Sequence, residues 1–423
     1  MLTDENRRLY VAILKDELRL AMGCTEPIAI AYAAAVAASC LEGAAERISV
    51  QASGSILKNA KSVVVPNTGG MRGIEVATAI GILAGNPNME LRVLEAVTQA
   101  DAAKIPAFLE KISTSVSQID SDNIFDIAVT LENCGHSAYV RITDDHTNIT
   151  ELRKDGKSLQ SAGGARPAEA AVDRSFMNIA DIVAFADSVD TAEIADTLEQ
   201  QIQSNSKIAD EGLSGDYGAN IGSVLLKYGS PDVVTRAKAR AAAASDARMN
   251  GCELPVVINS GSGNQGITAS IPVIEYAREL GSSKEQLYRA LAISNLTSIH
   301  MKTGIGKLSA YCGAVSAGCG SGAGIAYLHG GGLDEIAHTI VNALAITSGI
   351  ICDGAKASCA AKIASAVDAG ILGYQMYLNG QQFYSGDGIV GKGVEATIAN
   401  AGRLARDGMA ATNQEILRIM LDC

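Results

Sequence analysis

Apolar positions follow two regimes at the start of the chain. Residues 5–22 carry Leu9, Ile13, Leu14, Leu18 and Leu20 at roughly helical spacing, whereas residues 28–41 are almost wholly apolar. The first pattern predicts an amphipathic helix and the second a helix buried all round. Gly23 can end the first, Thr25 can cap the second, and Pro27 suits its first turn. The longest apolar runs, such as 28–39, are Ala-rich and too short to span a bilayer.

Alternation at 48–53 predicts a strand. Residues 62–65 then lead into a Gly-rich turn, 66–73, that opens a helix over 74–84. After a further strand–helix pair, 126–131, 137–142 and 147–154 predict a β-meander with turns at 133–135 and 144–145. His146 lies at the second turn, where a histidine is ordinarily solvated. The Gly/Ala/Pro stretch 161–168 reads as a linker. Beyond it the patterning is mostly helical, over 175–185, 191–204, 233–244, 287–296, 322–328 and 413–423, with 210–218 as a polar, glycine-punctuated loop. The order predicts an α+β protein. Helices of 1–45 would pack with a large, mainly helical domain over 169–423, and 46–168 would form a smaller domain with a mixed or antiparallel sheet.

Composition narrows the function. Hydrophobic residues at 48% against 19% charged support a large core, which excludes a disordered chain. A net charge of −12 with 4% aromatics argues against nucleic-acid or anionic-membrane partners. The first ten residues hold no apolar signal core, so a cytoplasmic location is expected. Nine cysteines, an odd number without regular disulfide spacing, fit a reducing compartment where clustered thiols point to metal or catalysis.

Four of these cysteines form two Cys-x6-Cys pairs, Cys312 with Cys319 and Cys352 with Cys359, in apolar, glycine-rich sequence. Such a grouping fits a buried inorganic centre and buried structural thiols about equally. Cys24 sits at or just before a helix start, where the partial positive charge favours a thiolate. Asn259, Ser260, Gly261, Ser262, Gly263, Asn264, Gln265 and Gly266 open an apolar helix with many donors and little bulk, which suits a carboxylate or a phosphate. Other chemistries find no support. There is no Cys-x2-Cys knuckle, no G-x-S-x-G elbow and no H-E-x-x-H, and none of Lys302, Lys307, Lys356 and Lys362 is singled out as a pyridoxal-phosphate lysine. An iron–sulfur cluster fits thiols at helix-sized intervals best. With three protein ligands one iron stays open as a Lewis acid, and β-elimination becomes accessible.

An ordered set of motifs resembles the L-cysteine desulfidase family, itself related to the alpha chain of iron–sulfur L-serine dehydratases. They are Gly23-Cys24-Thr25-Glu26-Pro27, His146-Thr147-Asn148-Ile149, Glu211-Gly212-Leu213-Ser214-Gly215, Ser245-Asp246-Ala247-Arg248-Met249, residues 259–267, and Ile351-Cys352-Asp353-Gly354-Ala355-Lys356. The resemblance covers nearly the whole chain. It implies an oxygen-sensitive [4Fe–4S] lyase, without pyridoxal phosphate, that converts L-cysteine to pyruvate, ammonia and sulfide. It implies Cys312, Cys352 and Cys359 as cluster ligands, with Cys24 as a fourth ligand or a catalytic thiolate. The loop from Asn259 to Asn264, with Arg248 and His146, would hold the substrate. Cys319 is left to packing, and Cys423 is a further candidate ligand because a C-terminal cysteine serves so in the serine dehydratases. The partner expected is a small amino acid, and a homodimer is left open. Two alternatives stand beside this reading: an L-serine or L-threonine dehydratase of the same cluster type, and, from another class, a non-catalytic iron–sulfur or metal-binding sensor.

Overall fold

The computed structural model describes residues 2–121, 123–159, 173–306 and 308–421. In it the first amphipathic stretch is a helix only over Asp4–Glu17, shorter than its pattern predicts. Leu18 leaves helical geometry, and Leu20–Ala21 instead pair antiparallel with Val256–Val257. That pairing ties the start of the chain to the segment just before residue 259. Gly23, at φ +48°, then turns the backbone into the helix Thr25–Cys40. This helix is buried on nearly all sides, as its apolar run predicts. Ile28 and Ile30 are fully buried, each contributing roughly 1.5–3 kcal/mol.

Thr25–Cys40 lies against a mixed six-stranded sheet, so the fold is α+β. The strand order is Ser113–Gln118, Arg47–Ala52, Asp126–Asn133, His136–Thr143, Ile149–Lys154 and Lys157–Ser158. The first pair is parallel and the rest are antiparallel. Val50 pairs with Val129 and Val129 with Val140, all three fully buried, so the predicted alternation sets the register. Residues 62–65 lead into the turn as expected, with Val64 making an isolated bridge to Arg72. One detail differs from expectation. Between 85 and 118 the helices Gln99–Ala102 and Ile105–Lys111 precede the strand rather than follow it.

From residue 179 the chain is almost entirely helical. Ala195–Ser214 runs through the start of the predicted 210–218 loop, because Leu198, Gln201, Asn205, Ile208 and Gly212 form one buried stripe at helical spacing. Val233–Met249 continues past residue 244 and carries Arg248 in its last turn. Gly313–Leu328 and Cys359–Leu378 pack together at very short range. A Cβ at Gly318 would lie 2.4 Å from the Ala366 carbonyl oxygen, and one at Gly370 would lie 2.3 Å from that of Gly318. The glycine-rich sequence around Cys319 is therefore a close-packing device. No helix among the described residues is long and apolar enough to cross a membrane. The linker expected at 161–168 and the terminal Cys423 lie outside the described residues.

Candidate active site

Two segments forty residues apart are joined by one short bridge. Tyr311 pairs antiparallel with Ile351, the Cys312 amide donates to the Ile350 carbonyl at 3.1 Å, and the Cys352 amide donates to the Ala310 carbonyl at 2.6 Å. Cys312 caps the helix Gly313–Leu328, and Cys359 is the first residue of Cys359–Leu378. The close packing of these two helices thus brings Cys312, Cys352 and Cys359 to one wall of a cavity of about 110 Å³. Cys319, two turns further along Gly313–Leu328, is 1% exposed and is absent from that wall.

The opposite wall comes from the chain's start and middle. Cys24 caps Thr25–Cys40, and Ser262 precedes Gly263–Leu280. Four helix N-termini therefore meet at the cavity, each equivalent to roughly half a positive charge. Cations add to this field. Arg248 and Lys302 line the cavity, and Lys58 donates to the Cys352 carbonyl at 3.2 Å and to Asn413 Oδ1 at 2.7 Å. Lys356 and Lys362 both pair with Asp353 beside Cys352, and their charges also act on Cys359.

The three clustered thiols interact electrically: Cys352 and Cys359 both act on Cys312, and Cys352 acts on Cys359. Burial pushes Cys312 up to about 12 and raises Cys359 as well. A thiolate here therefore needs compensating positive charge, which a metal centre would provide. Among the described residues no three of His, Cys, Asp and Glu are placed to grip one metal ion. Three thiols meeting on one wall fit the donor set of an iron–sulfur cluster.

Cys24 differs from expectation. Burial, followed by the neighbouring Glu26 charge, raises its thiol well above the ordinary value. The thiol donates to Glu26 Oε2 at 3.0 Å, and Asn59 Nδ2 donates to Glu26 Oε1 at 3.2 Å. Burial also works against the ionised Glu26. His146, the Cys24 hydrogen bond and Arg248 outweigh it, and the carboxyl titrates below its usual range. His146 is buried rather than solvated, at 4% exposure. Its ring packs edge-on against Phe125 with centroids 4.7 Å apart, and it lines the cavity.

The 259–264 loop divides into wall and anchor. Ser260, Gly261, Ser262 and Asn264 line the cavity, with Gln265 beside them. Asn259 does not. It is fully buried, and its amide donates to Asn295 Oδ1 at 3.0 Å and to the Asn295 carbonyl at 3.2 Å, while Asn295 and Gln201 exchange side-chain hydrogen bonds at 2.8 and 3.1 Å. Ser260, at φ +50°, donates to Asn259 Oδ1 at 2.9 Å. Strained backbone held by a buried amide network is a common feature of preorganised sites. Gly263 is also absent from the wall. A Cβ there would lie 2.3 Å from Arg248 Nε, so its role is to admit the guanidinium, which donates to Asn264 Oδ1 at 3.1 Å. Sequence reasoning passed over Asn59 and Lys302, and it quoted Glu26 without giving it a role. The available signal was an acid two residues after Cys24 and a lysine in a helix otherwise buried on that face.

Residues 88–418 match the family described as serine dehydratase alpha chain. The match starts after the Cys24 segment, but similar whole-length chains extend across it. A "UPF0597 protein" of Desulfitobacterium hafniense is 56% identical, covering 99% of this chain and 98% of its own length. One from Lachnoclostridium phytofermentans is 48% identical, covering 97% and 99%. One from Treponema denticola is 44% identical, covering 97% of each.

Proposed function

The chain belongs to the serine dehydratase alpha chain family, and from that premise we propose that it is an iron–sulfur lyase that eliminates sulfide from L-cysteine. The observation that carries this reading is the convergence of Cys24, Cys312, Cys352, Cys359 and the 260–264 loop on one cavity. Cys312, Cys352 and Cys359 would hold the cluster. When bound, it supplies an open iron as a Lewis acid toward the substrate's β-substituent.

The chain's own residues supply the remainder. Arg248 and the donors of Ser260, Ser262 and Asn264 hold the substrate carboxylate at a helix N-terminus. Cys24, as the thiolate that the Arg248 charge favours, takes the α-proton, and Glu26 orients its sulfur through their hydrogen bond. The electron pair of the Cα–H bond becomes the Cα=Cβ bond, and the Cβ–S pair leaves with sulfur as hydrosulfide. The aminoacrylate product hydrolyses to pyruvate and ammonia. Asn59 fixes the Glu26 carboxylate, and His146 keeps it ionised.

A second reading, L-serine or L-threonine dehydration, is favoured by the description of the matching family. Anaerobic reconstitution with iron and sulfide, followed by separate assays with L-cysteine, L-serine and L-threonine, tests both. Sulfide with pyruvate from L-cysteine is the expected result. Products from the hydroxyl amino acids alone would favour the second reading, and an intact cluster with no turnover would exclude both.

A further inference from the structure

Arg248 and Lys302 line the cavity at 3% and 6% exposure. Neither is paired with an acid among the described residues. Their surroundings differ. Arg248 lies against Gly263 and bonds Asn264, at the end that suits a carboxylate. Lys302 comes from the last turn of the separate helix Lys284–Ile305. Burial pulls its ammonium down to about 8, against the charges of Cys352 and Cys312, which favour it. It lines the same cavity as Cys312, Cys352 and Cys359 and, unlike Arg248, is not tied to the 260–264 loop, so it is free to face the β-substituent of a substrate whose carboxylate Arg248 holds.

A free ammonium in a buried wall favours the ionised form of a group placed beside it. An amino-acid thiol ionises near pH 8.5, whereas an aliphatic hydroxyl stays neutral at any physiological pH. The two β-substituents thus meet Lys302 as an anion and as a neutral dipole.

We propose that Lys302 is a specificity-determining residue. It holds the substrate's side chain as a thiolate, gives the sulfur a proton from its ammonium as the Cβ–S bond breaks so that hydrosulfide leaves, and so selects thiol-bearing over hydroxyl-bearing amino acids. The inference deepens the lyase reading and rests on it for the placement of the carboxylate.

The test uses two readouts. Cluster-free protein is titrated anaerobically by calorimetry with L-cysteine and with L-serine, for wild type, K302M and K302R. The reconstituted proteins are then compared in kcat/KM for the same two amino acids. K302M is expected to weaken L-cysteine binding by about tenfold or more and L-serine binding by less than about threefold, and K302R to keep most of the preference. The kinetic preference should fall by the same factor. Equal weakening toward both amino acids, or none, would overturn the proposal. So would a changed cluster spectrum in K302M with an unchanged preference, because Lys302 would then serve only the cysteine wall. If K302M does not fold, K302Q takes its place under the same criteria. If wild type turns over neither amino acid, the lyase reading fails, while the cluster-free titration still decides whether Lys302 recognises a thiolate.

Discussion

The Cys24 thiol donates to Glu26 across 3.0 Å, and the carboxylate that receives it is held from its other oxygen by Asn59 at 3.2 Å. This pair stores one negative charge in a buried pocket, on Glu26 at rest. Replacing Glu26 with Gln removes the charge that, after burial, does most to keep the thiol protonated. E26Q should therefore be alkylated faster at Cys24 by a small iodoacetamide, scored by peptide mass spectrometry. It should also lose turnover, by up to the roughly 10²–10⁴-fold of the acid–base step that Cys24 performs, because Glu26 no longer orients its sulfur. Slower alkylation with undiminished turnover would contradict the pairing.

The anchor behind the 259–264 loop makes a separate prediction. Asn295 bonds both Asn259 and Gln201, all fully buried. N295L leaves those amides short of partners and should cost about 1–3 kcal/mol in denaturant unfolding. Because the loop lines the cavity, KM should rise more than kcat falls. A stable variant with an unchanged KM would show that the network does not position the loop.

Helix spacing sets the distance between Cys312 and Cys359. A methyl group at Gly318 would meet the Ala366 carbonyl at 2.4 Å, so G318A must separate the two helices. Overpacking of this kind costs about 1–3 kcal/mol. Reconstituted G318A should bind less iron than wild type at matched protein concentration, although no thiol has been removed. Full iron content would mean that the cysteine wall does not depend on this packing.

Asp246 gives the pH prediction. It is fully buried two residues before Arg248, and its Oδ2 accepts from the Gly222 amide at 3.3 Å. Burial raises its carboxyl from 3.8 to about 6. The folded state then holds this proton more tightly than the unfolded one. The contribution of Asp246 is therefore fully present below pH 4, falls as pH rises to about 6, and stays lower by about 3 kcal/mol above that. D246N should flatten this part of the stability–pH curve, read as the change between pH 4.5 and pH 7 in the difference in unfolding free energy between variant and wild type, about 2 kcal/mol because pH 4.5 already lies above the unfolded carboxyl's range. Parallel curves would refute the assignment.

The parts of this molecule that could be read from sequence are those governed by local pattern. The buried helix after Pro27, the alternation in the central strands and the donor-rich loop before residue 267 each follow from neighbouring residues. What could not be read depends on distant partners. Helix Asp4–Glu17 stops early because Val256–Val257 recruit residues 20–21. The 210–214 segment is helical because its buried stripe outweighs its polar composition. Asn259 resembled a ligand residue until its partners, 36 residues further on, turned it into an anchor. Cys24 shows the same limit at the level of charge. Its position at a helix start predicts a thiolate, but burial and the Glu26 charge raise the thiol instead.

The most direct test of the account is anaerobic release of pyruvate and sulfide from L-cysteine by reconstituted wild type and C352A in parallel. The account predicts equimolar pyruvate and sulfide from wild type, and neither product, with the iron lost, from C352A. Turnover by C352A at the wild-type rate, or a wild type that retains its iron and releases neither product, would contradict it.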